Sequence, residues 1–152
     1  MRTKYFLIIM LICSINLFSQ VNGELSNLNG KRILKVWGNH YERGYAQGYL
    51  LSETIVSVFN SYVINNLMNG SPATYSYVRG IFINSFETDP EYIEEASGLI
   101  DGIADSGTSL FVATLNRDFD FRDVLIVNSI IDLIFYVNGR NDDYELLFGC
   151  SS

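Results

Sequence analysis

Apolar and polar positions follow a helical rhythm over most of the chain after residue 39. Apolar residues recur three, four and seven positions apart between His40 and Met68, which predicts one long amphipathic helix. A shorter helix is predicted over 74–86, and another over 89–104. Residues 122–137 are apolar on nearly every side, so we expect a last helix at the centre of the packing.

The strands that the sequence predicts are few and short. β-Forming residues over 32–37 predict one strand, and 108–114 predict a short strand or an extended connection. A further strand is predicted over 144–148, whereas the polar stretch 24–30 is interpreted as a flexible lead-in. This pattern predicts an α+β fold that is mostly helical.

Two of the predicted helices carry features that suggest how they begin and how they pack. In the helix over 89–104, Asp89 is expected to be the cap and Pro90 the first helical residue. Each glycine inside a helix costs about 1 kcal/mol relative to alanine, so the glycines need a packing reason. We expect the first and third helices to approach closely at Gly44, Gly48, Gly98 and Gly102.

The N-terminal segment has the order of regions found in secretory signal peptides. Arg2 and Lys4 precede an apolar run, and small residues then offer a cut after Ser19 or after Gly23. We therefore interpret residues 1–23 as a signal peptide that is too short to be a stable membrane span. This predicts export to an extracellular, periplasmic or lysosome-like compartment.

The charge of the exported chain argues against nucleic acid as a partner. Loss of the two basic residues in the signal leaves 17 acidic against eight basic residues, a net charge near −9. Such a surface repels a phosphate backbone and offers no basic stripe to offset that repulsion.

Alternating acidic residues before the last helix resemble the start of a calcium loop. Asn116, Asp118 and Asp120 have the spacing, but Phe121 occupies the position that needs glycine and Val127 the position of the bidentate glutamate. We therefore expect Asp118 or Asp120 to cap the following helix, and we predict no metal and no cofactor.

The remaining acidic pairs and the single histidine give no catalytic relay. Glu94 and Glu95 are adjacent in a helix and point in different directions, which favours a solvated face. Asp101 and Asp105 share a face, but no histidine or cysteine accompanies them in sequence. His40 begins a helix and is interpreted as structural or surface.

Cys150 is the residue with the most reactive chemistry. It becomes the single cysteine once Cys13 leaves with the signal, and it follows Gly149 at the end of a predicted strand. A thiol can attack the carbonyl of its own preceding peptide bond, and glycine permits the strained geometry that this requires. Cleavage frees an α-amino group with a pKa of about 7.7–8.0, which can act as the base for the same thiol.

Four segments together resemble the acyl-coenzyme A:6-aminopenicillanic acid acyltransferase-like family of N-terminal-nucleophile (Ntn) cysteine hydrolases, with phospholipase B-like and acid ceramidase-like proteins as more distant relatives. The segments, in chain order, are Gly38–Leu51, Glu94–Ala104, Asp123–Asn128 and Gly149–Ser152.

The resemblance implies an αββα sandwich and autocatalytic cleavage between Gly149 and Cys150. It implies hydrolysis or transfer of an acyl group held on an amide or an ester, with Cys150 as the catalytic residue. Residues 24–152 would be the leading, α-chain-like segment, and the oxyanion donors would lie in the missing downstream chain of the same precursor, so this segment alone is expected to be inactive. The alternative is a secreted, non-catalytic helical interaction domain whose cysteine is incidental.

Overall fold

The computed structural model describes residues 21–140, with side chains to Val137, as a mixed α/β and mostly helical structure. The signal region before residue 21, the predicted strand 144–148 and the Gly149–Cys150 bond lie outside the described residues. The elements are β1 (Gly23–Leu28), β2 (Lys31–Val36), α1 (His40–Val58), a π-helical continuation (Phe59–Leu67), α2 (Pro72–Ser85), α3 (Pro90–Asp105), β3 (Phe111–Val112), β4 (Arg117–Asp118), α4 (Phe121–Asn128) and α5 (Ile130–Arg140).

The first strand is a correction to the sequence interpretation. Residues 24–30 are not a flexible lead-in, because β1 pairs with β2 in an antiparallel hairpin from Gly23↔Val36 to Leu28↔Lys31. The two-residue loop has positive φ at both Asn29 (52°) and Gly30 (78°), as a type I′ turn requires. Asn-Gly between two strands is the sequence signal that should have predicted this hairpin.

The long first helix forms as predicted, although its geometry changes along its length. Asn39 accepts a hydrogen bond from the Glu42 amide, and the Glu42 carboxylate accepts one from the Asn39 amide. This reciprocal capping fixes the start of α1 at His40. The backbone dihedral angles of Leu51 are not helical, which marks a kink inside α1. After α1 the chain continues as the π-helix, which contributes the buried side chains of Phe59, Val63 and Ile64.

Helices α1 and α3 run parallel and touch through their backbones. Two tyrosine–aspartate hydrogen bonds join the helices with the same sequence separation of 60 residues, which requires a parallel arrangement. A Cβ atom at Gly44 or Gly48 would overlap the carbonyl of Glu95 or Leu99. Gly98 and Gly102 are placed in the same way against the carbonyls of α1. The close approach predicted from the glycine spacing is present.

The predicted last helix is two helices, a second correction. The backbone leaves the helical region at Ser129 (φ −103°, ψ 10°), between α4 and α5. Helix α4 is central as expected, but α5 buries Leu133 and Val137 while it leaves Ile131 and Phe135 exposed on its outer side. The described part of the molecule therefore covers only one side of the apolar surface of α5.

The sheets are small: β1 pairs with β2, and β3 with β4, both antiparallel. The αββα sandwich therefore remains an expectation. Within residues 21–140 there is no helix whose length and apolar character suffice to cross a bilayer.

Candidate functional site

The predicted nucleophile, Cys150, and its neighbour Gly149 lie beyond the described part of the chain, so the structure does not test their role. A cleft of about 680 Å³ lies among the described residues, between α1, the end of α2, α3 and α4. We call it the helical cleft. Its volume falls in the range of small-molecule sites, about 300–1,000 Å³.

Apolar side chains form part of the walls of the helical cleft, beside polar residues. Phe82 and Phe86 come from the end of α2, Leu99 from α3, and Val124 and Leu125 from α4. Phe82 and Phe86 stack on one another with ring centroids 5.7 Å apart. A surface of this kind accommodates an aliphatic or aromatic group.

The charged side chains that line the helical cleft are all carboxylates: Glu87, Asp89 and Glu95. Asp89 occupies the predicted N-cap position of α3 and Pro90 begins the helix, but the Asp89 side chain makes no capping hydrogen bond; its backbone carbonyl accepts from the Tyr92 amide. No lysine, arginine or histidine is among the described lining residues, so the carboxylates would repel an anionic ligand. A neutral amide or ester would avoid this repulsion.

His40 lies next to charged residues at the N-terminal ends of α1 and α3. Its Nε2 lies 3.1 Å from Glu91, and its Nδ1 accepts a hydrogen bond from Arg43 at 2.9 Å. Arg43 also lies 3.6 Å from Glu95, at the edge of the helical cleft. His40 thus ties two helices together, which agrees with its structural interpretation.

Asp101 and Asp105 are hydrogen-bond acceptors for tyrosines of α1. The Tyr41 hydroxyl donates to Asp101 at 2.7 Å and the Tyr45 hydroxyl to Asp105 at 2.8 Å, along a ladder of rings that continues to Tyr49. The hydrogen bond to Asp101, reinforced by partial burial and by the negative charges of both aspartates, raises the pKa of Tyr41 to about 12.

Asp123 is the one buried charged residue among the described residues, and its carboxylate is fully enclosed. It accepts hydrogen bonds from Arg117 at 2.7 Å, from Arg79, from the Tyr75 hydroxyl and from the Asp120 amide. Asp120 accepts from Arg79 at 2.7 Å and caps α4 through the Arg122 amide. This group fastens α2 and the β4 segment to the start of α4.

The pKa values in this group follow from its hydrogen bonds. Burial alone would raise the pKa of Asp123, but the hydrogen bonds from Arg117 and Tyr75, with the charge of Arg79, lower it. Burial and the neighbouring Asp123 raise the pKa of Tyr75, and the hydrogen bond to Asp123 raises that of Arg117. Asp123 therefore stays ionised and serves as a structural anchor for α4.

The residues that resemble the start of a calcium loop shape the backbone around β4 and the start of α4. Asn116 adopts a left-handed conformation (φ 52°) before β4, Asp118 ends β4, and Asp120 is the cap that the sequence offered as one of two choices. The described residues contain no cluster of three or more metal-ligating side chains.

Sequence reasoning missed the partners of Asp123, namely Tyr75, Arg79 and Arg117. A signal for Asp123 itself was present, because an acidic residue three positions after a capping aspartate forms a capping box. No local pattern links it to Arg79, which is 44 residues away.

Comparisons with models of known protein families, with curated proteins and with solved structures find no match for this chain.

Proposed function

We propose that this chain is the leading segment of an exported, self-processing Ntn amidohydrolase or acyltransferase. In this proposal Cys150 is the nucleophile, and the substrate is a small molecule with an acyl group on an amide or ester. The downstream chain of the same precursor supplies the strands and oxyanion donors that the αββα arrangement needs.

The observation that carries the proposal is which segments of the chain line the helical cleft. The three described segments of the family resemblance each contribute to it: Gln47 from the first, Glu95 and Leu99 from the second, and Val124 and Asn128 from the third. Segments far apart in sequence thus converge on one concave site, which supports a shared functional role. The apolar part of the walls suits an acyl group, and the carboxylates suit an uncharged rather than an anionic substrate.

The chemistry proposed for maturation uses the chain's own atoms. The Cys150 thiol attacks the carbonyl carbon of Gly149, the peptide C–N bond breaks, and the leaving nitrogen takes up the thiol proton, which gives a thioester and a free α-amino group on Cys150. Water then hydrolyses the thioester and releases the Gly149 carboxylate. The liberated amine accepts the thiol proton when the same sulfur attacks a substrate acyl group.

The test uses the full-length precursor, extended by whatever coding sequence follows codon 152. Intact mass should show two chains, the second beginning at Cys150. Cys150→Ala should leave one uncut chain without acyl-transfer activity, because the attacking atom is gone. Cleavage at that bond in Cys150→Ala, or full activity, would contradict the proposal.

A second candidate is a secreted, non-catalytic helical interaction domain. It is favoured by Ile131 and Phe135, which are exposed one turn apart on α5, since exposed apolar faces mark protein contacts. This candidate predicts that Cys150→Ala changes neither the number of chains nor partner binding. A stop codon directly after codon 152 would also favour it.

A further inference from the structure

The start of the β1–β2 hairpin distinguishes the two signal-peptide cuts that the sequence leaves open. Both bonds follow a small residue, Ser19 or Gly23, and both would produce an exported chain. They differ in what remains of the hairpin. A cut after Ser19 keeps all of β1, whereas a cut after Gly23 removes its first residue and everything before it.

The residues that the later cut would remove take part in the fold. The Asn22 carbonyl accepts a hydrogen bond from the Trp37 amide at 3.0 Å, which extends the ladder beyond the last residue of β2. Gly23 is the partner of Val36 in the same ladder. Loss of Asn22 and Gly23 therefore leaves the amide of Trp37 without its partner and exposes the edge of the hairpin.

Gly23 is also a point of contact between the hairpin and α1. A Cβ atom built on it would lie 2.9 Å from both the Ala46 Cβ and the Leu50 Cδ1 atoms, so the backbone of β1 lies directly on the helix here. Removal of Gly23 uncovers that part of α1. A cut there would also place a new α-ammonium group on Glu24, inside the strand ladder opposite Lys35.

We infer that export processing cuts between Ser19 and Gln20, and that the new terminal glutamine closes to a pyroglutamate. This inference rests on the export of the proposed precursor. The α-amino nitrogen of Gln20 attacks its own side-chain amide carbon, the C–N bond to the amide nitrogen breaks, and ammonia leaves. No oxidant or cofactor is needed, and the five-membered ring closes within one residue.

The experiment is to produce the full-length precursor in a secretory insect-cell host, with its own signal, and to analyse the N-terminal peptide of protein from the medium by mass spectrometry. The expected peptide begins at Gln20, is lighter than the encoded peptide by one ammonia, and resists labelling of its α-amine. Gln20→Ser should yield a terminus at residue 20 that accepts the label, since serine has no side-chain amide.

Two tyrosine substitutions separate the two cuts. Ser19→Tyr places a bulky residue before the inferred bond and should cause loss of the terminus at Gln20. Val21→Tyr, the matched control, blocks the recognition position for a cut after Gly23 and should leave the Gln20 terminus unchanged.

Each alternative result has its own meaning. A chain that begins at Glu24, or at any residue other than Gln20, overturns the inferred cut while export still stands. An uncyclised Gln20 overturns the ring closure alone. An intact Met1 on protein that stays inside the cell contradicts export itself, and the inferred processing with it.

Discussion

The Cα atom of Gly48 lies against the backbone carbonyl of Leu99, so closely that even a methyl group at residue 48 has no space. Side chains normally hold packed helices with axes about 8–10 Å apart. Here the backbones themselves form the contact between α1 and α3. The relative position of these helices fixes one wall of the helical cleft, to which Leu99 also contributes its side chain.

This contact predicts a large penalty for Gly48→Ala. The added Cβ meets backbone rather than a flexible side chain, so the helices must separate, at a cost of at least about 1–3 kcal/mol of unfolding free energy. Chemical denaturation measures the change. Gly80→Ala is the matched control, since nothing lies within 4 Å of its new Cβ. It should stabilise α2 by up to about 1 kcal/mol. Equal effects at the two positions would contradict the close contact.

Asp123→Asn should destabilise the protein by about 2–3 kcal/mol at neutral pH, because Arg79 and Arg117 lose the charge that compensates them. Asp118→Asn, at an exposed position with no side-chain hydrogen bond to these arginines, should change little. Urea unfolding of both variants gives the comparison. A small loss for Asp123→Asn would show that the arginines are satisfied without the buried carboxylate.

The same residue predicts a pH dependence. The folded state lowers the pKa of Asp123, so its stabilising contribution is complete above the ordinary carboxyl pKa of about 4. The contribution is lost as the pH falls through the lower folded value. Stability measured below pH 4 should therefore fall more steeply in the unmodified protein than in Asp123→Asn. Parallel curves for the two proteins would contradict this assignment.

The Tyr41 hydroxyl should ionise at a higher pH than an ordinary tyrosine does, with a pKa of about 12. Tyrosine ring-carbon NMR shifts followed against pH measure it. Asp101→Asn should bring the pKa down towards the ordinary value, whereas Asp105→Asn should lower it less, since it removes only a charge. Because the folded pKa is raised, the contribution of neutral Tyr41 is present below about pH 10 and lost as the pH rises through 12.

Helix α5 offers a test of whether its outer face is used in a longer protein. Leu133→Ala should cost about 2–5 kcal/mol in any length of chain, because Leu133 is fully buried. Phe135, 72% exposed, should tolerate Phe135→Glu in the 152-residue chain. If downstream chain covers this face, Phe135→Glu should destabilise the full-length precursor as measured by thermal unfolding. No difference between the two lengths would mean that the face stays uncovered.

The elements that local chemistry controls were predictable. The start of α1 follows from the Asn39–Glu42 capping pair, and the cap at Asp120 from its position before an apolar run. The hairpin was predictable too, since Asn29-Gly30 is a local turn signal, although it was interpreted as a lead-in. The break at Ser129 was not, because the apolar pattern continues across it and the choice depends on which neighbours each half contacts.

The features of the candidate site also divide into those that were predictable from the sequence and those that were not. The sequence by itself determined where α1, α3 and α4 begin, that glycines recur every four residues in α1 and α3, and that Cys150 follows a glycine. These properties depend on neighbours within a few residues. Only the tertiary structure decided that α1 and α3 run parallel in backbone contact, that Asp123 is buried between two arginines, and that three separate segments line one cleft. Each of these depends on contacts between residues distant in sequence, such as Arg79 and Asp123, which are 44 positions apart and are brought together by the packing of the chain.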